Sequence, residues 1–144
     1  MSSKSISSIL REKIKPARIA RLATVSSTGR PHLVPICFVF DGRFFYSAID
    51  RKPKRVSPER LARIRNIEQS RQAALLFDEY SEDWNRLWYV LVRGRARVVR
   101  NTSERMTAVR MLRRKYRQYA EGMLADDALV IRIEPRSVSA WGDL

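Results

Sequence analysis

Apolar residues recur at Ile6, Ile9, Leu10 and Ile14, a helical spacing that Pro16 ends, so residues 1–16 are expected to form a short amphipathic helix. From Ile19 to Ser26 branched and small residues alternate with others. The stretch Ser26-Ser27-Thr28-Gly29-Arg30 then supplies a glycine-containing turn, and Pro31 opens a second extended run to Phe40. Asp41-Gly42 sits between Phe38-Val39-Phe40 and Phe44-Phe45-Tyr46, a strong hairpin signal, because glycine supplies the positive φ that tight turns need. Ser57-Pro58 marks a helix start, with Leu61, Ile64 and Ile67 as its buried stripe. Strands are expected over 72–78 and from Arg86 to about Arg100, with Gly94 as a bulge or bend. Asn101 and Glu104 then open a second helix within 101–124, whose buried positions are Val109, Leu112, Tyr116, Tyr119 and Met123. Leu129 to Glu134 reads as the last strand, and 135–144 as a short tail containing Trp141.

Strands joined by hairpins dominate the first hundred residues, with one helical crossover and one helix inserted before the last strand. That order suits an antiparallel Greek-key β-barrel with flanking helices, an α+β arrangement, better than a parallel sheet, which needs helices between most strands. The 144 residues suffice for one domain and show neither repeats nor linkers, so 1–144 reads as a single unit.

Charge changes the picture. Lys and Arg number 29 against 15 Asp and Glu, a formal net charge of +14, which fits an anionic partner. No apolar run reaches the length of a membrane span and the first residues lack a secretory core, so the expected location is the cytoplasm, away from membranes. A single cysteine, Cys37, excludes an internal disulfide and reads as a small core residue.

Familiar catalytic patterns are missing. One histidine, His32, cannot build a histidine-rich metal site, and no metal is expected. The five glycines are too scattered for a P-loop or a dinucleotide fingerprint, and no serine has a histidine in a recognisable triad context. What remains is the basic run Arg51-Lys52-Pro53-Lys54-Arg55 ahead of the Ser57-Pro58 helix start. There, cations and free backbone N–H groups could converge on one phosphate, or the run could be a solvated turn.

Several segments taken together resemble a known family. Ala20-Arg21-Leu22-Ala23-Thr24-Val25, Gly29-Arg30-Pro31-His32-Leu33-Val34-Pro35, Tyr46-Ser47-Ala48-Ile49-Asp50 and Lys52-Pro53-Lys54-Arg55 are similar to the flavin-binding split barrels of the pyridoxamine-phosphate-oxidase-like class. Asp83-Trp84-Asn85-Arg86-Leu87-Trp88 and the Arg-Asn-Ile-Glu run at 65–68 resemble its deazaflavin-dependent branch. The resemblance implies a homodimer with cofactor sites at the subunit interface, holding FMN or the deazaflavin coenzyme F-420. It implies that Val34, Pro35 and Ile36 contact the ring and that Tyr46 and Ser47 flank the ribityl phosphate. Lys52, Lys54 and Arg55 would neutralise that phosphate, and Trp88 would reach a cofactor from the partner subunit. It also implies an oxidoreductase acting on a small molecule. Vitamin B6 oxidation is not expected, because the phosphate-binding arginine of true pyridoxamine-phosphate oxidases is replaced by Val34 and their C-terminal Arg-x-His motif is missing. Hydride or electron transfer belongs to the cofactor, which accounts for the lack of a catalytic motif. No general acid or base is assigned.

Two other readings use the same barrel. In one, Arg110, Arg113, Arg114, Lys115 and Arg117 on the second helix track the phosphates of a nucleic acid or another polyanion. Against this, Tyr116 and Tyr119 fall on the apolar stripe and offer no stacking platform, so nucleic acid is the less favoured partner. In the other, the barrel stores a flavin, or is a haem-related relative, without performing a reaction.

Overall fold

The structure, a computed structural model, describes residues 6–50 and 61–144. Seven antiparallel strands form one sheet in the order β2-β1-β5-β6-β7-β4-β3. They are β1 (Ala20–Val25), β2 (Pro31–Ile36), β3 (Val39–Phe40), β4 (Phe45–Ala48), β5 (Gln72–Glu79), β6 (Trp88–Val98) and β7 (Val130–Gly142). Three α-helices, α1 (Ser8–Ile14), α2 (Ala62–Ser70) and α3 (Thr102–Lys115), flank it.

β2 and β3 occupy opposite edges of this sheet, yet only Cys37 and Phe38 separate them in the chain. Two residues span roughly 7 Å, so the sheet must curl until its edges stand side by side. That makes a split barrel, a closed shape whose two edges meet without a ladder between them. The extended run expected from Pro31 to Phe40 is therefore interrupted at Cys37, where the chain steps across the split.

Both expected hairpins form. Gly29 takes φ 84° in the first, and in the second Gly42 takes φ 100° while Asp41 Oδ1 accepts the N–H groups of Arg43 and Phe44 at 2.8 and 2.7 Å. Positive φ at both turns is the conformation that glycine adopts without strain. Gly94 lies where β7 packs tightly on β6, and a Cβ there would stand 2.5 Å from the Glu134 carbonyl oxygen.

Two boundaries differ from the sequence reading, and a third lies outside the described residues. Helix α2 begins at Ala62, with an extended Leu61 at its N-cap position and no side-chain cap, while the expected start at Ser57-Pro58 lies outside the described residues. Helix α3 is capped by Asn101, which accepts the Glu104 N–H at 2.8 Å, but it ends at an extended Tyr116 and resumes as one π-helical turn, Tyr119–Met123, within which Gly122 bends the chain at φ 114°. The segment 135–144 is no tail, because β7 runs on to Gly142. Pro135 is tolerated because β7 pairs with β4 only from Val130 to Ile133, so the missing N–H breaks no ladder, and because a bulge between Arg93 and Gly94 falls beside it.

Alternation along the strands splits the core in two. Phe38, Phe45, Phe77, Leu22, Leu75, Val90 and Ile133 fill the barrel together with Ile14 of α1 and Ile64 and Ile67 of α2. Val39, Tyr46, Ala48 and Val130 face outward beneath Val109 and Leu112 of α3. Among the described residues, the outward faces of β2, β1, β5 and the first half of β6 carry no helix, since α1 and α2 pack on the barrel interior and α3 on the β4 side.

Candidate functional site

The split is where polar side chains gather. Leaving the ladder at Cys37 and Phe38 strands backbone groups that a barrel interior cannot leave unpaired. The Tyr116 hydroxyl accepts the Phe38 N–H at 3.0 Å and points its proton at the carbonyls of Arg18 (2.9 Å) and Phe38 (3.1 Å). The Ser47 hydroxyl donates to the Cys37 carbonyl at 2.7 Å.

Beside this seam a cavity of about 330 Å³ opens between the sheet and the end of α3, lined by Arg18, Cys37, Asp50, Tyr116, Tyr119 and Met123 with Arg117 and Gln118. Its size is that of a small-molecule pocket. Its position follows from the chain, since Cys37 ends the segment containing Val34, Pro35 and Ile36, and Asp50 immediately precedes the basic run at 51–55. The Tyr119 hydroxyl donates to Asp50 Oδ2 at 2.7 Å, and burial followed by that carboxylate pushes its pKa above the ordinary phenol range. Burial likewise pushes Tyr116 up to about 12. The Arg63 guanidinium is held below its usual value by burial, with Asp50 and Tyr119 opposing the shift.

Lys115 stands at the back of the same seam. Its Nζ lies 3.7 Å from the centre of the Phe38 ring and has no hydrogen-bond partner among the described residues. Burial, then the charge of Arg18, pushes its pKa down to about 8. Arg18 packs over the Tyr116 ring at 4.7 Å and donates to the Lys115 carbonyl at 3.0 Å. The cavity thus combines aromatic walls and one carboxylate with two cations, Arg18 and the Glu121-paired Arg117, a lining able to hold a flat ring and an anionic group.

The residues expected from sequence are distributed as follows. Val34, Pro35 and Ile36 lie on the edge strand β2, with Pro35 exposed and Val34 and Ile36 turned into the barrel core. Tyr46 is buried under α3, where its hydroxyl donates to Glu104 Oε2 at 2.7 Å, and burial followed by that carboxylate raises its pKa. Arg132 Nη1 donates to the same oxygen at 2.7 Å. Burial opposes ionisation of Glu104, but the hydrogen bonds from Tyr46 and Arg132 and the charges of Arg132 and Arg97 outweigh it and hold the carboxyl below its usual value. Ser47 points to the other side of β4. Trp88 faces inward, its indole N–H donating to Glu79 at 3.0 Å. Lys52, Lys54 and Arg55 lie outside the described residues. Among the described residues no three His, Cys, Asp or Glu side chains group as metal ligands, and no helix is long and apolar enough to cross a membrane.

Sequence reasoning missed Arg18, Arg63, Lys115, Tyr116 and Tyr119 as neighbours of one cavity, and it missed Tyr89. Alternation sends Tyr89 outward where Trp88 goes inward, and Tyr89 stacks on Trp141 across the strands with centroids 6.0 Å apart. Leu33, at 69% exposure, and Trp141, at 53%, stand on the helix-free face. The family profile for pyridoxamine 5'-phosphate oxidase matches residues 7–142. Among solved structures, the haem storage protein HutZ of Vibrio cholerae aligns with TM-score 0.71 and 18% identity, covering 96% of this chain and 95% of that one. An FAD-binding protein of Mesorhizobium loti aligns with TM-score 0.67 and 19% identity, covering 97% of each chain. An F-420 reductase aligns with TM-score 0.64 and 19% identity, covering 90% of this chain and 94% of that one. No curated protein matches the sequence.

Proposed function

The chain belongs to the pyridoxamine 5'-phosphate oxidase family, and from that premise we propose that it binds a phosphorylated flavin or deazaflavin, FMN or coenzyme F-420, and acts as an oxidoreductase on a small molecule. The observation that carries this reading is the cavity between Cys37 and Asp50. It is lined by Cys37, which follows the β2 segment proposed to meet the ring, and by Asp50, the residue before the basic run proposed to meet the phosphate. The aromatic walls fit a flat ring, and the surplus of cations over the single carboxylate fits a phosphate.

In this reading the cofactor supplies hydride or electron transfer when bound. The protein's own residues bind and orient it. Backbone groups of Val34, Pro35 and Ile36 present hydrogen bonds along an edge strand, whose outer side has no neighbour in the sheet. Tyr46 and Ser47 hold β4 in place rather than offering hydroxyls, since both are engaged internally. Lys52, Lys54 and Arg55 neutralise phosphate.

The helix-free face of β2, β1, β5 and β6 pairs with a second copy. Leu33, Tyr89 and Trp141 give it an apolar character that a solvent-facing sheet does not need. In such a dimer Tyr89 and Trp141 would lie at the interface, with the inward-facing Trp88 behind them. A haem-binding reading draws on the HutZ likeness, and a single spectrum separates the two. Purified protein should show flavin or deazaflavin absorbance, or gain it on mixing with FMN or coenzyme F-420, and sediment as a dimer. A Soret band on adding haem, with no binding of either flavin-type cofactor, would replace this reading with the other.

A further inference from the structure

A second cationic feature lies away from the split, on the outer surface of β6 and β7. Arg93, Arg95 and Arg97 all point outward from β6, two residues apart. On β7, Arg93 pairs with Ser137 and Gly94 with Pro135, so Arg136 has no residue opposite and is the extra residue of the bulge. Bulges re-aim side chains, and this one turns Arg136 to the same outer surface. Three hollows run together there. One of about 500 Å³ is lined by Arg71, Arg93, Arg95 and Arg136 with Gln69, Ser70 and Gln72. A second, of about 250 Å³, shares Arg95 and Arg136 with it and adds Arg97, Arg132 and Glu134. A third, of about 170 Å³, shares Arg71 and Arg97 and reaches Arg100.

Carboxylates neutralise only part of this trough. Glu68 pairs with Arg100, Glu104 with Arg132 and Glu134 with Arg136. Arg71, Arg93, Arg95 and Arg97 make no ion pair among the described residues. We propose that this arginine trough is a binding site for a linear oligophosphate anion.

Residue type and spacing select that ligand. Every cation in the trough is an arginine, whose planar fork matches phosphate oxygens two at a time. Arg93, Arg95 and Arg97 stand about 7 Å apart along β6, and Arg71 alongside brings four unpaired charges within about 13 Å of strand. A phosphate chain packs more charge into that length than one face of an extended acidic peptide, whose carboxylates repeat only about every 7 Å. Single-stranded nucleic acid has the charge but seeks aromatic platforms for its bases, and no aromatic side chain lines the three hollows.

The test uses inorganic tripolyphosphate as probe, with orthophosphate and a single-stranded DNA oligonucleotide for comparison, in calorimetric titrations of the full chain. Wild type should bind tripolyphosphate well above orthophosphate. The double variant Arg95→Gln/Arg97→Gln should bind at least about tenfold more weakly. The variant Arg110→Gln/Arg114→Gln removes the same charge from the exposed face of α3 and should stay within about twofold of wild type. If the first variant fails to fold, Arg93→Gln carries the test, since that side chain is exposed and unpaired. Equal losses in the trough and helix variants, no preference for the chain over orthophosphate, or tighter binding of the oligonucleotide than of tripolyphosphate would each overturn the proposal.

Discussion

The Tyr116 hydroxyl stands in for a missing strand at the barrel split, accepting the Phe38 N–H at 3.0 Å from a position 78 residues further along the chain. One phenol satisfies backbone groups at the point where the sheet crosses from its β2 edge to its β3 edge. Removing it leaves a buried N–H and two carbonyls short of a partner. Tyr116→Phe should therefore destabilise the protein by about 1–3 kcal/mol, measured by denaturant unfolding, with little change in cavity shape. A loss below a few tenths of a kcal/mol would mean that water replaces the hydroxyl.

Lys115 is predicted to make stability rise with pH. Its folded-state pKa, about 8, lies below the 10.5 of the free side chain, so between those values the unfolded chain binds more protons and stability increases as pH rises. Below about 8 the penalty of charging the buried amine is fully present. The raised pKa of Tyr116 acts the other way above about 10, where the unfolded phenol ionises first. Thermal melts should therefore climb from pH 8 to 10 and then fall. In Lys115→Met the climb should flatten, and melting at pH 7 should occur at a higher temperature than in wild type.

At Gly94 the limit is space. A methyl group there would meet the Glu134 carbonyl oxygen at 2.5 Å and Ile133 Cγ2 at 2.8 Å. Gly94→Ala should cost about 1–3 kcal/mol by forcing β6 and β7 apart, a loss that equilibrium unfolding would register. The same shift would widen the bulge that positions Arg136.

Local chemistry was readable in the sequence wherever one short segment decided the outcome. Gly29 and Gly42 mark their hairpins, Asn101 caps α3, and Gly94 sits at the bulge, because each requirement is met by a residue and its immediate neighbours. The length of β7 was not readable, since Pro135 is harmless only where β4 has already ended, a fact about a strand far away in sequence. The break in α3 at Tyr116 was hidden for the same reason. Tyr116 keeps the apolar spacing of a helix, but its hydroxyl is drawn to the split by backbone groups of Phe38 and Arg18. The cavity was the least legible feature, as it joins β1, the ends of β2 and β4, and the turn after α3. Val34, Pro35 and Ile36 are expected only through the family resemblance that a pattern of adjacent residues carries. Lys115 and Tyr119 carry no such pattern.

The most direct test of the flavin reading is an equilibrium titration of wild type and of Lys54→Ala/Arg55→Ala with FMN and with riboflavin, which lacks the phosphate. A charge-assisted hydrogen bond is worth about 1.5–3 kcal/mol, so wild type should favour FMN by roughly tenfold to a hundredfold or more, and the double variant should lose most of that preference. Melting temperature without cofactor should barely change in the variant, while the stabilisation given by added FMN should shrink. Equal affinity of wild type for the two ligands, or an unchanged preference for FMN in the variant, would contradict phosphate recognition by the basic run that follows Asp50.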